Sequence, residues 1–383
     1  GIAREHRFIS VGDFIDWRYR SQPLLIAVNT VFVITLVTFI LGNLKAIGLL
    51  LASASGGLLP FAPAIILVCL IMAVYETLGG MRGVIWTDII QGLMLMLGSL
   101  LIFLMLLLSR GDGMMNQPQR LFEASAEFFS QPLPTLQFAS LVLLIALGAA
   151  VYPQAIQRIY AARSVAVLKR SYLLMFFMPL VTTLPLFLIG ISAADWFPGL
   201  EGSQTEQVVI IAISDLLAGS GSLRWLLALY LGAAIAAIMS TIDSALLTMG
   251  SIINKDLIAR RHPEMSEASL HRIGRRLTWL MMALMAFLAI SLPNTIWSLL
   301  VLKLEVVIQV FPTVVLGIRA PAIKAPPLLA GLVAGCLAAV VLRVWPELSP
   351  LPAVHSGIWA LLLNLLVCFS FQFLASRRPR PVE

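Results

Sequence analysis

Two adjacent hydroxyl residues interrupt a small, apolar stretch, AAIAAIMSTIDSALLTMGS. Ser240 and Thr241 each supply an oxygen atom, and a local turn of the helix at such residues frees the carbonyl of Ala237. Oxygen ligands of this kind suit a hard, singly charged cation such as sodium, which needs neither thiolate nor imidazole. Asp243 either adds negative potential to this site or pairs with another helix. The alternative is that both hydroxyls bond to their own helix, as is common in membranes.

A second polar stretch, ALGAAVYPQAIQRIYAARS, contains a predicted helix break. Gly148 and Pro153 bracket residues that cannot all remain in regular helix, because proline removes a backbone hydrogen bond. Transporters bind cargo at helix breaks near the membrane midplane. We therefore assign the nearest polar side chains, Tyr152, Gln154 and Gln157, to a substrate path. A packing kink without a ligand role is the alternative.

Five charged residues lie within or beside apolar stretches, where charge is costly. Glu76 and Asp88 flank a predicted turn, ETLGGMRGVIWTD. We expect Asp88 to lie on a cation path, whereas an interfacial ion pair is an equal alternative for Glu76. Lys303 and Glu305 are expected to pair across helices, and Lys45 to reach outward along its alkyl chain. The sequence assigns these last three residues no role.

The composition shows which solvent the chain faces. Of its 383 residues, 60% are hydrophobic and 12% are charged, against roughly a quarter charged in soluble domains. The surrounding solvent must be lipid. The basic residues are scattered rather than grouped, so no nucleic-acid partner is expected. Phosphate-binding, zinc-protease and dinucleotide motifs are missing from the sequence, so we predict neither an enzyme nor a bound cofactor.

Ten stretches satisfy the length of roughly 20 apolar residues that a membrane span requires. They are 22–53, 60–79, 83–109, 136–160, 167–194, 222–253, 273–292, 294–318, 326–345 and 353–376. One all-α membrane domain, 1–383, is therefore predicted: a cytoplasmic loop at 1–21, a ten-helix bundle at 22–376 and a basic cytoplasmic tail at 377–383. Cys69, Cys336 and Cys368 fall inside spans without paired spacing and are interpreted as packing residues.

The distribution of Lys and Arg predicts the orientation. Most of the 26 basic residues fall in alternate connections, together with the two ends. Basic residues are enriched on the cytoplasmic side of membrane proteins. Both ends of the chain are therefore expected in the cytoplasm, with the bundle in a bacterial inner membrane.

Four ordered motifs resemble the sodium:solute symporter family, which includes proline, pantothenate, monocarboxylate and sodium–glucose symporters. They are GDFIDWRYRSQ, YETLGGMRGVIWTDIIQGLMLMLGSL, QAIQRIYAARS and AAIAAIMSTIDSALLTMGSIINKDL. The resemblance covers essentially the entire chain. It implies the leucine-transporter-type architecture of two inverted five-helix repeats, working by alternating access.

The resemblance also implies roles for individual residues. Ala237, Ser240 and Thr241 match ligands of the main sodium site, and Asp88 matches an acidic residue linked to sodium coupling or release. By this match the first span corresponds to the third core helix, so the first two core helices are expected to be missing. The expected partners are sodium, a small polar organic solute and membrane lipid.

Two alternatives to a sodium-coupled symporter stay open from the sequence. Some members of this family are fused to histidine kinases, so the chain is alternatively a sensory input module. A chain without its first two core helices is alternatively a nonfunctional fragment.

Overall fold

The computed structural model describes residues 2–115, 119, 132–200, 202–218 and 224–376. This part of the chain is almost entirely helical and contains no β-strand. The predicted tail, 377–383, lies outside the described residues. Long apolar helices satisfy all their backbone polar groups internally, which is the requirement for crossing lipid.

Fourteen α-helices are present in the described residues. They are α1 (Ile2–Glu5), α2 (Val11–Tyr19), α3 (Gln22–Ala54), α4 (Phe61–Met115), α5 (Pro132–Ala150), α6 (Pro153–Tyr160), α7 (Val165–Trp196), α8 (Val208–Ala218), α9 (Arg224–Ser251), α10 (Glu267–Ser291), α11 (Ile296–Val307), α12 (Phe311–Arg319), α13 (Ala325–Val344) and α14 (Ser356–Ser376). Helix α9 continues as a π-helix, Ile252–Ala259, and a 3-10 turn, Ile308–Val310, joins α11 to α12.

The candidate spans agree with the predicted number. Among the described residues, nine helical segments are long and apolar enough to cross a membrane. A tenth is the pair Thr135–Ala150 and Pro153–Tyr160, which is bent by 42°. This bend falls where Pro153 predicted it, because proline cannot donate to the preceding helical turn.

The predicted turn after Glu76 is not present. Helix α4 runs through it without interruption, over 55 residues, which corresponds to roughly 80 Å at 1.5 Å per residue. Two candidate spans, Phe61–Leu78 and Asp88–Met105, lie on this one helix. The prediction was wrong because the glycines at the centre permit a turn without imposing one. The side chains at 79–85 lie outside the described residues.

Two spans form the centre of the bundle. In α3 and in Ile296–Arg319, 61% and 72% of the most apolar window is buried within the protein, against 11% for the span in α7. The core cluster includes Phe32, Leu36 and Leu44 of α3, all fully buried. Helices α3, α11 and α12 therefore form the core of the bundle. Helix α7 lies at its periphery and presents its apolar side chains to lipid.

Helix α2 is held to the end of α9 by a network of charges. The carboxylate of Asp13 accepts bonds from Lys255 Nζ at 2.7 Å and from Arg260 Nη2 at 2.8 Å. Arg260 also pairs with Asp16 at 2.6 Å, and Ser10 Oγ donates to Asp256 Oδ1 at 3.0 Å. These contacts fasten the segment before the first span onto the π-helix.

This network predicts acid-sensitive stability. Burial opposes the charged form of Asp13, but hydrogen bonds from Lys255 and from backbone N–H groups outweigh it, so the pKa lies below 3.8. A lowered pKa stabilises the fold above the unfolded-state pKa and loses that contribution as pH falls through the folded value. We expect Asp13→Asn to cost about 2 kcal/mol at pH 7. The cost should shrink progressively below about pH 5.

The measurement is the melting temperature of the detergent-solubilised protein against pH. Asp16→Asn is the matched control, because the Asp16 carboxylate is 45% exposed and pairs with one cation. Its loss should be smaller at every pH. Equal melting temperatures for the wild type and Asp13→Asn at pH 7 would refute the stabilising role of Asp13.

Candidate functional site

The predicted sodium ligands share one face of α9. Ala237, Ser240 and Thr241 are each half-buried, and residues three and four apart lie on the same side of a helix. Thr241 Oγ1 donates to the carbonyl of Ala237 at 2.9 Å, so the back-bonded alternative is the arrangement observed for Thr241. This bond uses the hydroxyl proton and leaves oxygen lone pairs to accept. The arrangement therefore keeps the Thr241 oxygen able to accept a cation, beside an Ala237 carbonyl that lies in an uninterrupted helix and already accepts from Thr241.

Asp243 lies three positions after Ser240, at the edge of this face and on the opposite side of the helix from Thr241. Two helical positions rotate its side chain roughly 160° away from that of Thr241, and it is fully buried. Its Oδ2 accepts a hydrogen bond from the hydroxyl of Tyr75 on α4, while no described group bonds its Oδ1. Of the two alternatives stated for Asp243, the pairing with another helix is the one present. Tyr75 was missed, although it immediately precedes Glu76 in a stretch already singled out.

The break between α5 and α6 exposes polar groups inside the bundle. Tyr152 precedes Pro153 and has an extended backbone, with φ −68° and ψ 121°, as proline requires of the residue before it. Its ring packs edge-on against Phe39 of α3, with centroids 5.7 Å apart. The Tyr152 hydroxyl and Gln154 Oε1 are buried without a hydrogen-bond partner among the described residues. The Tyr152 hydroxyl and the Gln154 amide oxygen can therefore each form a further hydrogen bond at the break.

Helix α6 packs against α9 and α4 through Gln157 and Arg158. Thr248 Oγ1 donates to Gln157 Oε1 at 3.1 Å, and Arg158 Nη2 donates to Ser244 Oγ. Arg158 also lies 3.9 Å from Asp88 Oδ2. One short helix therefore bridges two spans through side chains alone.

The structure separates the predicted site residues into four places. Ala237, Ser240 and Thr241 form the oxygen face, Tyr152 and Gln154 lie at the helix break, and Gln157 and Asp88 belong to the α6 bridge, whereas Asp243 faces α4. Gln157 is hydrogen-bonded to Thr248 rather than left unpartnered. Thr248 was missed because a threonine near a helix end has no distinctive sequence signal.

The site chemistry fits a monovalent cation. Among the described residues, no group of three or more His, Cys, Asp or Glu side chains is arranged to hold a metal ion. The three cysteines are free; Cys69 and Cys368 are buried, as predicted for packing residues, whereas Cys336 is half-buried. Neutral carbonyl and hydroxyl oxygens bind hard cations weakly enough to release them.

The chain is similar to a known protein family and to several of its members. Residues 2–335 match the model of the sodium:solute symporter family. The uncharacterized symporter YhjB of Bacillus subtilis is 22% identical over 98% of this chain and 78% of its own length. The sodium/pantothenate symporter of Haemophilus influenzae is 26% identical over 77% of this chain and 60% of its own length.

A solved structure shares the fold. A Na+-coupled sialic acid symporter, in a substrate-bound outward-open state, aligns with a TM-score of 0.75 at 20% identity, covering 97% of this chain and 78% of that one. This likeness confirms the leucine-transporter-type fold class. Because the family model spans most of the chain and describes transporters rather than enzymes, the chain belongs to the sodium:solute symporter family.

Proposed function

We propose that this protein couples inward sodium movement to the uptake of a small polar organic solute by alternating access. The observation that carries the proposal is the paired oxygens of Ala237 and Thr241, 2.9 Å apart on a membrane helix. Relatives named as sodium/pantothenate and Na+-coupled sialic acid symporters support sodium as the coupling ion. A membrane potential contributes about 2.3 kcal/mol per charge per 100 mV to such coupling.

In this proposal the oxygen face of α9 supplies part of the sodium site. Ala237 contributes its carbonyl, and Ser240 and Thr241 contribute hydroxyls. Further oxygens must come from a facing segment, because hard cations take about six or more ligands. The half-buried state of all three residues leaves this face accessible to such a segment.

The helix break supplies the solute path. Tyr152 and Gln154 offer a hydroxyl and an amide oxygen that are buried without described partners. A buried polar group without a partner is costly, so a polar solute bonding to these groups recovers that cost. The α6 bridge lies on the inner side of this path and must open for release, with Asp88 attracting the departing sodium.

The proposed membrane placement follows the charge distribution. With both ends in the cytoplasm, most Lys and Arg residues fall on the cytoplasmic side, in agreement with the positive-inside rule. The network between α2 and the π-helix then lies in the cytoplasm. A bacterial inner membrane is the proposed location.

The test is solute uptake by the protein expressed from its native gene and reconstituted into proteoliposomes. Labelled proline, pantothenate, acetate, pyruvate and glucose are offered with an inward sodium gradient or an equal potassium gradient. We expect at least one solute to accumulate about tenfold faster with sodium. A tenfold change in rate corresponds to lowering the activation free energy by about 1.36 kcal/mol. Equal uptake of every solute under both gradients would refute sodium coupling.

A further inference from the structure

A buried lysine lies at the centre of the bundle. Lys303 of α11 is 8% exposed, and its ammonium lies 4.3 Å from the ring centroid of Phe39 and 5.2 Å from that of Tyr152. The two rings themselves pack edge-on. Two rings, one from α3 and one from the break between α5 and α6, thus flank one cation. We call Phe39, Tyr152 and Lys303 the aromatic cage.

The cage does not neutralise its cation. No ion pair or hydrogen bond to Lys303 is present among the residues that the structure describes. Attraction to aromatic faces recovers only part of the cost of removing an ammonium group from water. Buried charges in proteins are normally paired. An anion is therefore the group that this site lacks.

The carboxylates on neighbouring elements are already bonded elsewhere. Glu305, two positions along α11, accepts from Arg343 at 3.0 Å and from Ser356 at 2.6 Å. Asp243 accepts from Tyr75. The expectation that Lys303 pairs across helices was wrong, whereas the one for Glu305 is confirmed. Both carboxylates are bonded to groups outside the cage.

Lys45, the other buried lysine of a central helix, differs in this respect. Its ammonium donates to the carbonyl of Leu292 at 2.5 Å, so it closes a contact between α3 and the end of α10. It is buried rather than directed outward, which corrects the expectation from sequence. The Lys45 ammonium therefore joins two helices through a hydrogen bond. Lys45 is a suitable control residue for substitutions of Lys303.

The cage lies beside the helix break. Tyr152 belongs to both, and its hydroxyl is buried without a described partner. Helix α5 approaches α11 closely at Gly148, where an added Cβ would lie 2.9 Å from Leu304 Cδ2. This close approach brings the break beside Lys303. An ammonium group and a phenolic hydroxyl therefore lie together where the proposed solute path runs.

We propose that Lys303 binds a carboxylate of the transported solute, with Tyr152 donating a second hydrogen bond to the same anion. The solute class is then a small organic carboxylate rather than a sugar or another neutral compound. This inference rests on the proposed function and specifies its substrate. Phe39 holds the ammonium in place when no solute is bound.

The experiment measures sodium-driven uptake of acetate, pyruvate and glucose by the reconstituted wild type, Lys303→Met, Lys303→Arg and Lys45→Met. We expect the wild type to take up a carboxylate and not glucose. Lys303→Met should raise KM for that carboxylate at least about tenfold, since hydrogen bonds to charged groups are of that strength. Lys303→Arg should retain part of the affinity, and Lys45→Met should keep the wild-type KM.

Direct binding separates this inference from the symport proposal. The melting temperature of the same purified proteins is measured with and without added carboxylate, in the absence of a sodium gradient. Sodium-driven glucose uptake without carboxylate uptake, or an unchanged carboxylate KM in Lys303→Met, would overturn the inference while leaving symport intact. Carboxylate stabilisation that disappears in Lys303→Met, without sodium-driven uptake of any solute, would uphold the carboxylate site and refute symport. Absence of both carboxylate stabilisation and carboxylate uptake in the wild type would overturn the inference.

Discussion

Replacing both Ser240 and Thr241 by alanine should raise the sodium concentration for half-maximal uptake at least about tenfold. Each tenfold change corresponds to about 1.4 kcal/mol of binding free energy, which is the strength expected for two lost oxygen ligands. The fold should be little affected, because the bond of Thr241 to the Ala237 carbonyl stays within one helix. The measurement is initial uptake rate against sodium concentration, with the melting temperature of the same preparations.

A matched control exists on another span. Thr182 Oγ1 donates to the Met178 carbonyl at 3.1 Å on α7, the same back-bonded arrangement on a helix that mainly faces lipid. Thr182→Ala should leave the sodium dependence at the wild-type value. An unchanged sodium dependence in the double variant, with normal expression, would exclude the α9 face as a sodium site.

Neutralising Asp88 should slow transport more than it weakens sodium binding. Asp88 lies on α4, 3.9 Å from Arg158, and is not one of the three residues of the oxygen face of α9. In the proposed path its charge attracts the ion as the ion leaves, and each 1.36 kcal/mol lost from that step is tenfold in rate. We expect Asp88→Asn to lower the maximal uptake rate about tenfold and to change the half-saturating sodium concentration little. The readouts are uptake kinetics and the decay of transient sodium currents.

Loss of the Asp88–Arg158 contact is the competing explanation for any effect of Asp88→Asn. The Arg158 side chain is 67% exposed, and exposed ion pairs contribute little to stability. Arg158→Gln breaks the same contact and keeps the carboxylate. If Arg158→Gln slows turnover as much as Asp88→Asn, the contact and not the charge of Asp88 controls the rate. Normal kinetics in Asp88→Asn would remove Asp88 from the sodium path.

The sequence predicts the elements of this fold better than their contacts. Span number follows from apolar length, and the bend at Pro153 follows from a missing backbone donor, so both are local properties. The oxygen face of α9 is likewise local, since Ala237 and Thr241 are one turn apart. The continuity of α4 could not be predicted, because glycine permits helix and turn alike.

Contacts between distant residues could not be predicted from a single sequence. Tyr75 and Asp243 are separated by 168 positions, and no periodicity relates them. Lys303 meets Phe39 of α3 and Tyr152 of the break between α5 and α6. Its ammonium was noticed as a charge in an apolar stretch, but only the packing of the bundle shows what surrounds it.

The π-helix is a place where the chain can lose one residue without redirecting the side chains that follow. Lys255 and Asp256 lie within it and Arg260 directly follows it, and together they bond to α2. A π-helix bonds each residue to the fifth along rather than the fourth. Removing a single residue from 252–259 would therefore restore ordinary helix and leave the side chains that follow on the same side of the helix. A one-residue gap there in a related sequence would indicate loss of the π-helix, with Arg260 still directed at α2.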